Sequence, residues 1–343
     1  MAKAGRNGRG AHLVGSVPLG NSEAVFRATA AAVGPWVARL PDGETGARTN
    51  WIEWQIPMLG GDPALEVVPP DPDHYRPLPR VALREGSVAD DVSLTGCGYA
   101  DAAEASYAKF RELRNEGVIA TGTRFQVCLP TPLATVALFV TAEDQAAVEA
   151  VYERLLLADL DCVLAAVPHE DLAIQWDTAV EFGVLEGLFP VWFEPAEPGI
   201  VERLIRVGNR VPADVELGFH LCYGDAGHQH FTQPTDAAIL VRVANALVDG
   251  LDRPLNWLHL PVPRERDDEA YYAPLADLRL AGDTELYLGL VHRTDGMEGT
   301  QRRIAAASKV VPAFGISTEC GLGRRPPETV PGLLDLHAAV ARG

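Results

Sequence analysis

Long apolar runs are missing from this 343-residue chain. No stretch approaches the roughly 18 uninterrupted apolar residues that a membrane-spanning helix needs. The amino terminus carries Lys3, Arg6 and Arg9, but no apolar run follows them, which argues against a signal peptide or a membrane anchor. We therefore expect no membrane partner and a cytoplasmic protein.

Basic residues are also scarce. The chain has 29 Lys and Arg against 47 Asp and Glu, which gives a formal net charge of -18. Proteins that bind nucleic acid obtain much of their affinity from Lys and Arg placed along the phosphates. The acidic balance therefore predicts no nucleic-acid partner.

Cysteine is infrequent and unevenly placed. The five cysteines stand at positions 97, 128, 162, 222 and 320, an odd number without paired spacing. A small disulfide-bonded scaffold would show an even number at short intervals. We expect a reducing compartment in which the thiols are free or bind a metal.

What the chain has is an ordinary globular composition, with 47% apolar and 22% charged residues. Short apolar runs alternate with helical patterns, an alternation typical of a single (β/α)8 barrel. The candidate strands are residues 12–17, 36–40, 124–129, 172–176, 216–222, 256–260, 285–291 and 314–318. The candidate helices are residues 21–33, 101–115, 142–165, 199–207, 235–249, 296–310 and 329–342. We predict one barrel domain over residues 11–343 after a disordered tail at 1–10.

A long insertion over residues 57–97 follows the second predicted strand. It is rich in Pro, Asp and Gly, so it is either a lid and subunit contact or a poorly ordered segment. We favour the first, because long structureless loops in compact domains are usually functional. With Trp51 and Trp54 just before it, the segment could close over the barrel mouth or pair two chains as a homodimer.

Polar residues end most of the predicted strands, and in a barrel of this kind the carboxyl ends of the strands carry the catalytic groups. His220 and Cys222 are two positions apart, so a strand presents both on one face. Cys320 ends the last strand at the same mouth. One imidazole and two thiolates suit zinc. A strand His and a buried Cys are more often ordinary core residues, so both interpretations stay open on these residues alone.

Taken in order along the chain, these residues resemble the catalytic C-terminal barrel of the cobalamin-independent methionine synthase family. His220-x-Cys222 followed by Cys320 resembles its zinc site. Further matches are a Gly-Ser pair in the first strand, a Gly-Glu motif after the second and an acidic strand end, found here as Gly15-Ser16, Gly43-Glu44 and Asp177. The resemblance implies a TIM barrel of the uroporphyrinogen decarboxylase/methionine synthase type.

The resemblance also implies a function in methionine biosynthesis: zinc-dependent transfer of a methyl or other alkyl group to a thiol. The partners would be a small-molecule thiol, most simply homocysteine or a similar amino thiol, and an alkyl donor. His220, Cys222 and Cys320 would bind Zn2+, which activates the substrate sulfur. Gly15 and Ser16 would hold the carboxylate of the amino thiol, and Glu44 and Asp177 its ammonium group.

Two positions depart from the family pattern. The family's zinc-binding Glu on strand six is replaced by His259, which we expect to be a fourth metal ligand, with a hydrogen-bonding role as the alternative. The strand-seven histidine of the family is not matched in register, but His292 lies nearby. We expect His292 to act as general acid and, together with Asp177, to be catalytic.

The alkyl donor and two further histidines are left undetermined. The pterin-stacking Trp of the family has no counterpart in residues 127–133, so folate is poorly supported. His228 and His230 could form a second metal site, face solvent or contact substrate. Other interpretations are opening of an epoxide by a coenzyme M-like thiol, as in single-barrel relatives, or an inactive barrel that binds a small molecule. A decarboxylase on the related barrel would not need the cysteines.

Overall fold

The computed structural model describes residues 10–70, 77–224 and 230–343. The predicted disordered tail, except Gly10, therefore lies outside the described residues. Within them the strands are β1 (Arg39–Pro41), β2 (Leu65–Val68), β3 (Arg80–Leu83), β4 (Arg124–Pro130), β5 (Leu172–Thr178), β6 (Glu216–Leu221), β7 (Trp257–Pro261), β8 (Glu285–Gly289) and β9 (Gly315–Ile316).

Helices connect most of these strands, as the alternating pattern predicts. In the described part of the chain they are α1 (Ser22–Val33), α2 (Gln55–Gly60), α3 (Tyr99–Asn115), α4 (Pro132–Phe139), α5 (Gln145–Ala166), α6 (Val180–Leu185), α7 (Ala196–Gly208), α8 (Ala238–Gly250), α9 (Glu269–Tyr272), α10 (Gly296–Ala307) and α11 (Val330–Arg342). All seven predicted helices are present, with shifts of one to three residues at most ends. The short helices α2, α4, α6 and α9 were not predicted.

Seven strands form one curled parallel sheet in the order β1-β4-β5-β6-β7-β8-β9 within the described residues. Each strand pairs with the next parallel strand along the chain, and the central ones are covered on both faces. All seven residues of β5, for example, are buried. Both-face burial explains why these strands are nearly continuous apolar runs in the sequence. An α/β fold with a parallel sheet is thereby confirmed.

The first predicted strand, residues 12–17, is not formed, so the prediction of eight regular strands is wrong at this position. Ala11, just before this segment, forms isolated bridges with Val37 on one side and Ile316 on the other. Within the segment, the amides of His12 and Val17 donate to the carbonyls of Ile316 and Gly43. The carbonyl groups that would bond to a neighbouring strand accept hydrogen bonds from side chains instead. Gln126 donates to the carbonyls of residues 13 and 14, and Gln175 also donates to that of residue 14.

The segment predicted as an insertion, residues 57–97, contains an antiparallel pair of strands, β2 and β3. Leu65 and Val81 of this hairpin are fully buried. Residues 71–76 between the strands lie outside the described residues. A role as lid or subunit contact stays a prediction.

A search of the helices in the described ranges finds none that is both long and apolar enough to cross a membrane.

The amino-terminal end of the sheet is held by a buried arginine. Arg39 is 2% exposed, and it donates to Glu216 at 2.6 Å and to Glu285 at 2.7 Å. Its guanidinium also lies 4.1 Å from the centre of the Trp257 ring. One side chain therefore joins four strands at the rim opposite the polar strand ends.

Replacing this arginine with Met should destabilise the protein by about 3 kcal/mol, since it leaves a buried carboxylate without its main partner. Arg210→Met is the matched control, because Arg210 pairs with Asp161 on the surface, where such pairs contribute less than about 1 kcal/mol. The measurement is urea unfolding of both variants. Equal losses would contradict the assignment of Arg39 as the rim's central charge.

Candidate metal centre and substrate cavity

His220, Cys222 and Cys320 meet at the carboxyl end of the sheet. Their potential ligand atoms all lie within 4.8 Å of one another. His220 belongs to β6 and Cys320 follows β9, two strands that are three positions apart in the sheet. In a flat sheet that separation would be roughly 14 Å. The curl of the sheet is therefore what brings the three side chains together.

A chain of hydrogen bonds determines which nitrogen of His220 is available. The Nε2 atom of His259 lies 2.9 Å from the carbonyl oxygen of Thr318, which can only accept, so Nε2 carries the proton. The Nδ1 atom of His259 then accepts from Nδ1 of His220 at 2.7 Å. This leaves a lone pair on Nε2 of His220, and that buried atom has no hydrogen-bond partner within the described residues.

The two sulfurs complete the fit to a soft divalent metal. Cys222 and Cys320 are not bonded to each other, and their Sγ atoms are 3.7 Å apart. Two zinc–sulfur bonds at the tetrahedral angle span about 3.8 Å. A buried imidazole nitrogen without a hydrogen-bond partner, beside two thiols at this spacing, is a donor set that could hold zinc.

His259 lies next to this cluster but is not part of it. Both of its ring nitrogens are already occupied, one by His220 and one by Thr318. Burial lowers its pKa to about 3, so the ring is neutral. The structure thus places His259 where it orients His220, and a role as fourth ligand stays a prediction that would require its ring to turn.

The same three metal-binding candidates border a small cavity of about 80 Å³, which we call the thiolate cavity. The predicted substrate-binding residues line it too, namely Gly15, Ser16, Glu44 and Asp177. They come from three parts of the chain: the segment before α1, the turn after β1 and the carboxyl end of β5. The structure therefore brings together the predicted substrate-binding and metal-binding residues, except His259.

Glu44 is held in the cavity by a strained turn. Gly43 and Glu44 both have positive φ angles, of 83° and 48°. A Cβ atom on Gly43 would lie 2.6 Å from a methyl carbon of Val25, so glycine is needed at this position. Asp42 stabilises the turn by accepting from the Glu44 amide at 2.9 Å and by pairing with Arg48 at 2.6 Å.

The carboxyl groups of Glu44 and Asp177 are both deprived of water. Burial raises the pKa of Glu44 to about 7, even though Arg48 opposes the rise. Burial and the nearby Glu44 raise the pKa of Asp177 well above its usual value, against the hydrogen bond from Gln175 at 2.8 Å. Two such groups at one cavity favour a cationic ligand, because a cation stabilises both in ionised form.

Gly15 and Ser16 also line the cavity, with Gly15 next to Glu44. A side chain at position 15 would approach a Glu44 carboxyl oxygen to 3.3 Å, so glycine keeps that backbone accessible. The hydroxyl of Ser16 accepts from the amide of Gly323 at 3.2 Å. Its own proton is thereby free to be donated elsewhere, and the loop after Cys320 is fixed against it.

His292, the predicted general acid, lies outside the thiolate cavity. Its Nε2 donates to the carbonyl of Val262 at 2.9 Å, and its Nδ1 lies 3.6 Å from Glu319. Glu319 also lies 3.4 Å from Nε2 of His230. His228 is outside the described residues. The sequence interpretation missed Glu319, whose one available signal was its position directly before Cys320.

Several solved structures are similar to this one. A B12-independent methionine synthase from a Shewanella species, in complex with selenomethionine, superposes with a TM-score of 0.59 at 15% identity, covering 97% of this chain and 96% of that one. A vitamin-B12-independent methionine synthase by name, from Listeria monocytogenes, gives 0.55 at 15%, covering 93% and 86%. A methyltransferase from Methanosarcina mazei gives 0.48 at 11%, covering 96% and 93%.

At these identities the likeness shows the fold alone. No protein-family model and no curated protein matches the chain.

The buried Glu44 should make the metal-free protein lose stability as the pH rises. Its pKa is about 7 in the folded state against 4.5 as the ordinary value, so folding favours its protonated form. The stabilising contribution is complete below about pH 4.5 and is lost as the pH rises through about 7. In Glu44→Gln we expect the fall in the free energy of unfolding to be smaller by roughly 1–3 kcal/mol.

Urea unfolding across that pH range measures the effect. Glu328→Gln is the control, because this substitution removes the same charge at an exposed position. A pH dependence unchanged by Glu44→Gln would show that the carboxyl is not desolvated.

Proposed function

We propose that this chain is a zinc-dependent enzyme that transfers a methyl or other alkyl group to the sulfur of a thiol, with homocysteine or a similar amino thiol as acceptor. The observation that carries the proposal is the unpaired buried nitrogen of His220 beside two thiols, in the cavity that also contains Glu44 and Asp177. The fold shared with structures of methionine synthases supports it.

A complete barrel belongs to the same proposal. Ala11 bridges Val37, two residues before β1 begins, and Ile316, the last residue of β9. These bridges connect one edge strand of the seven-stranded sheet, β9, with the chain that leads into the other edge strand, β1. We propose that the segment around Ala11 is the eighth member of a (β/α)8 barrel.

His220, Cys222 and Cys320 would hold the zinc, with His259 orienting His220 from behind. When bound, the metal would lower the pKa of a substrate thiol and keep its sulfur nucleophilic at neutral pH. Three protein ligands are the number found in catalytic zinc sites, where the fourth position is left to substrate or water. The engagement of both nitrogens of His259 favours this open set over a closed set of four.

The remaining residues of the thiolate cavity fit the amino-acid part of such a thiol. Glu44 and Asp177 would bind the ammonium group, and its positive charge would lower the pKa of both carboxyls. The hydroxyl of Ser16 and the backbone of Gly15 would bind the carboxylate. A cavity of about 80 Å³ has room for a small thiol and excludes a large donor from the same space.

The transfer forms a sulfur–carbon bond and breaks the bond between that carbon and its carrier. The thiol loses its proton on binding, and the carrier leaves with the bonding electron pair. We propose that His292 protonates the carrier. Burial holds the pKa of His292 at about 3, so it would need negative charge from Glu319 or from the carrier itself to hold a proton.

Zinc analysis tests the metal centre. We expect about one zinc per chain in protein prepared without chelators and its loss in Cys222→Ser, since one thiolate ligand is removed. Cys162→Ser is the control, because Cys162 is an exposed free thiol on α5. Zinc absent from the unmodified protein, or retained equally by both variants, would overturn the assignment.

A panel of thiols tests the acceptor. Homocysteine should bind the zinc-loaded protein at least about tenfold more tightly than 4-mercaptobutanoate, which lacks only the amino group, because a buried charge-assisted contact contributes about 1.5–3 kcal/mol. Protection against thermal unfolding gives the affinities. The preference should shrink in Glu44→Gln.

Iodomethane then serves as a simple alkyl donor, with S-methylation of each thiol followed by mass spectrometry. Faster methylation of bound than of free homocysteine is expected. Tighter binding of 2-mercaptoethanesulfonate than of homocysteine would instead favour the coenzyme M-like reaction, and no acceleration with any thiol would favour an inactive barrel.

A further inference from the structure

A second, larger cavity of about 590 Å³ lies at the same end of the sheet. We call it the arginine cavity and define it by Arg264, Arg266, Arg293, Arg325, His292 and Glu319. These residues follow the carboxyl ends of β7, β8 and β9. The mechanism proposed above uses two of them, His292 and Glu319, and leaves the arginines without a role.

The two cavities share a wall. Residues that are adjacent in the chain line opposite sides of it: Glu319 lines the arginine cavity and Cys320 the thiolate cavity, and Arg325 and Arg324 are divided in the same way. A ligand in the arginine cavity is therefore one residue away from the metal-binding thiol of Cys320.

The charge of the arginine cavity is opposite to that of the chain. Four arginines face two glutamates, Glu265 and Glu319, in a protein whose net charge is -18. Two of the arginines are already paired. Arg266 makes a two-point contact with Asp268, and Arg264 contacts Glu265 at 2.6 Å.

The side chains of Arg293 and Arg325 make no ion pair or hydrogen bond with any residue in the described ranges. The Nε atom of Arg325 is buried and has no hydrogen-bond partner there. An unsatisfied buried donor on a guanidinium is costly unless a ligand satisfies it. His230 and His292 add no positive charge, since burial lowers their pKa values to about 4 and about 3.

We propose that the arginine cavity binds an anionic group, a carboxylate or a phosphate, of the alkyl donor. The inference rests on the proposed function and identifies the chemical class of its second substrate. A guanidinium presents paired N–H donors that match the two oxygens of such a group. The larger volume accommodates the part of the donor that the thiolate cavity excludes, and the shared wall places its alkyl end beside Cys320.

Inorganic phosphate and acetate are the probes, each added to the zinc-loaded full chain at constant ionic strength with chloride as reference. Protection against thermal unfolding is measured for the unmodified protein and for the double variant Arg293→Gln/Arg325→Gln. We expect one of the two anions to protect the unmodified protein. The double variant should weaken its apparent Kd about tenfold or more. The anion that protects identifies which group the donor carries.

Arg279→Gln/Arg27→Gln is the matched control, since both arginines are exposed, ion-paired and outside the cavity. It removes the same charge and should leave the Kd unchanged. Equal weakening in both double variants would mean a general charge effect, and no protection beyond chloride in the unmodified protein would mean that no anion site exists. Either result overturns the proposal.

Cys222→Ser separates this proposal from the proposed function. It should lose zinc and keep anion protection, because Cys222 does not line the arginine cavity. Loss of anion binding with zinc and thiol binding intact would remove the donor site alone. Anion binding by an unmodified protein that contains no zinc would support the anion site in the arginine cavity and contradict the proposed alkyl transfer.

Discussion

The candidate metal centre depends on one hydrogen-bond chain, from the Thr318 carbonyl through His259 to His220. A carbonyl oxygen cannot donate, so the direction of every proton in the chain follows from it. The result is a lone pair on the outer nitrogen of His220, in place before any metal arrives. Outer residues that set the tautomer of a ligand in this way usually affect metal affinity as well.

This chain is also a constraint on the sheet. The hydrogen bonds connect β6, β7 and the residues that follow β9. Because β9 is three positions from β6 in the sheet, these residues can meet only if the sheet curls. The bridges of Ala11 to both sheet edges act in the same direction. The geometry of the site therefore depends on the curvature of the sheet. A change that flattens the sheet would separate Cys320 from Cys222.

Much of the fold could be predicted from sequence because its signals are local. Runs of buried apolar residues and amphipathic helices repeat along the chain, and seven of eight strands are in the predicted places. The first strand was wrong for a reason that local patterns do not contain. Its carbonyls are taken by the side chains of Gln126 and Gln175, which are more than a hundred residues away.

In the site, too, features with a local sequence signal were predicted and features that depend on distant residues were not. The period of two in a strand was enough to place His220 and Cys222 on one face, and strand order placed Cys320 at the same mouth. Whether His259 binds metal or orients its neighbour depends on ring orientation and on a carbonyl beyond β9, neither of which has a sequence signal. The proximity of Glu319 to His230 and His292 was missed for the same reason, since the three residues lie on three different loops.

The opposite charges of the two neighbouring cavities would give each substrate of the proposed reaction its own binding place. In the proposed reaction, Glu44 and Asp177 would attract the ammonium group of the thiol and repel an anionic donor from the thiolate cavity. Arg293 and Arg325 would do the reverse on the other side of the wall. Neither substrate then competes well for the other's place, although both need access to one sulfur site. Such a division is most effective where the charges are shielded little by solvent, and both carboxyl groups of the thiolate cavity are buried.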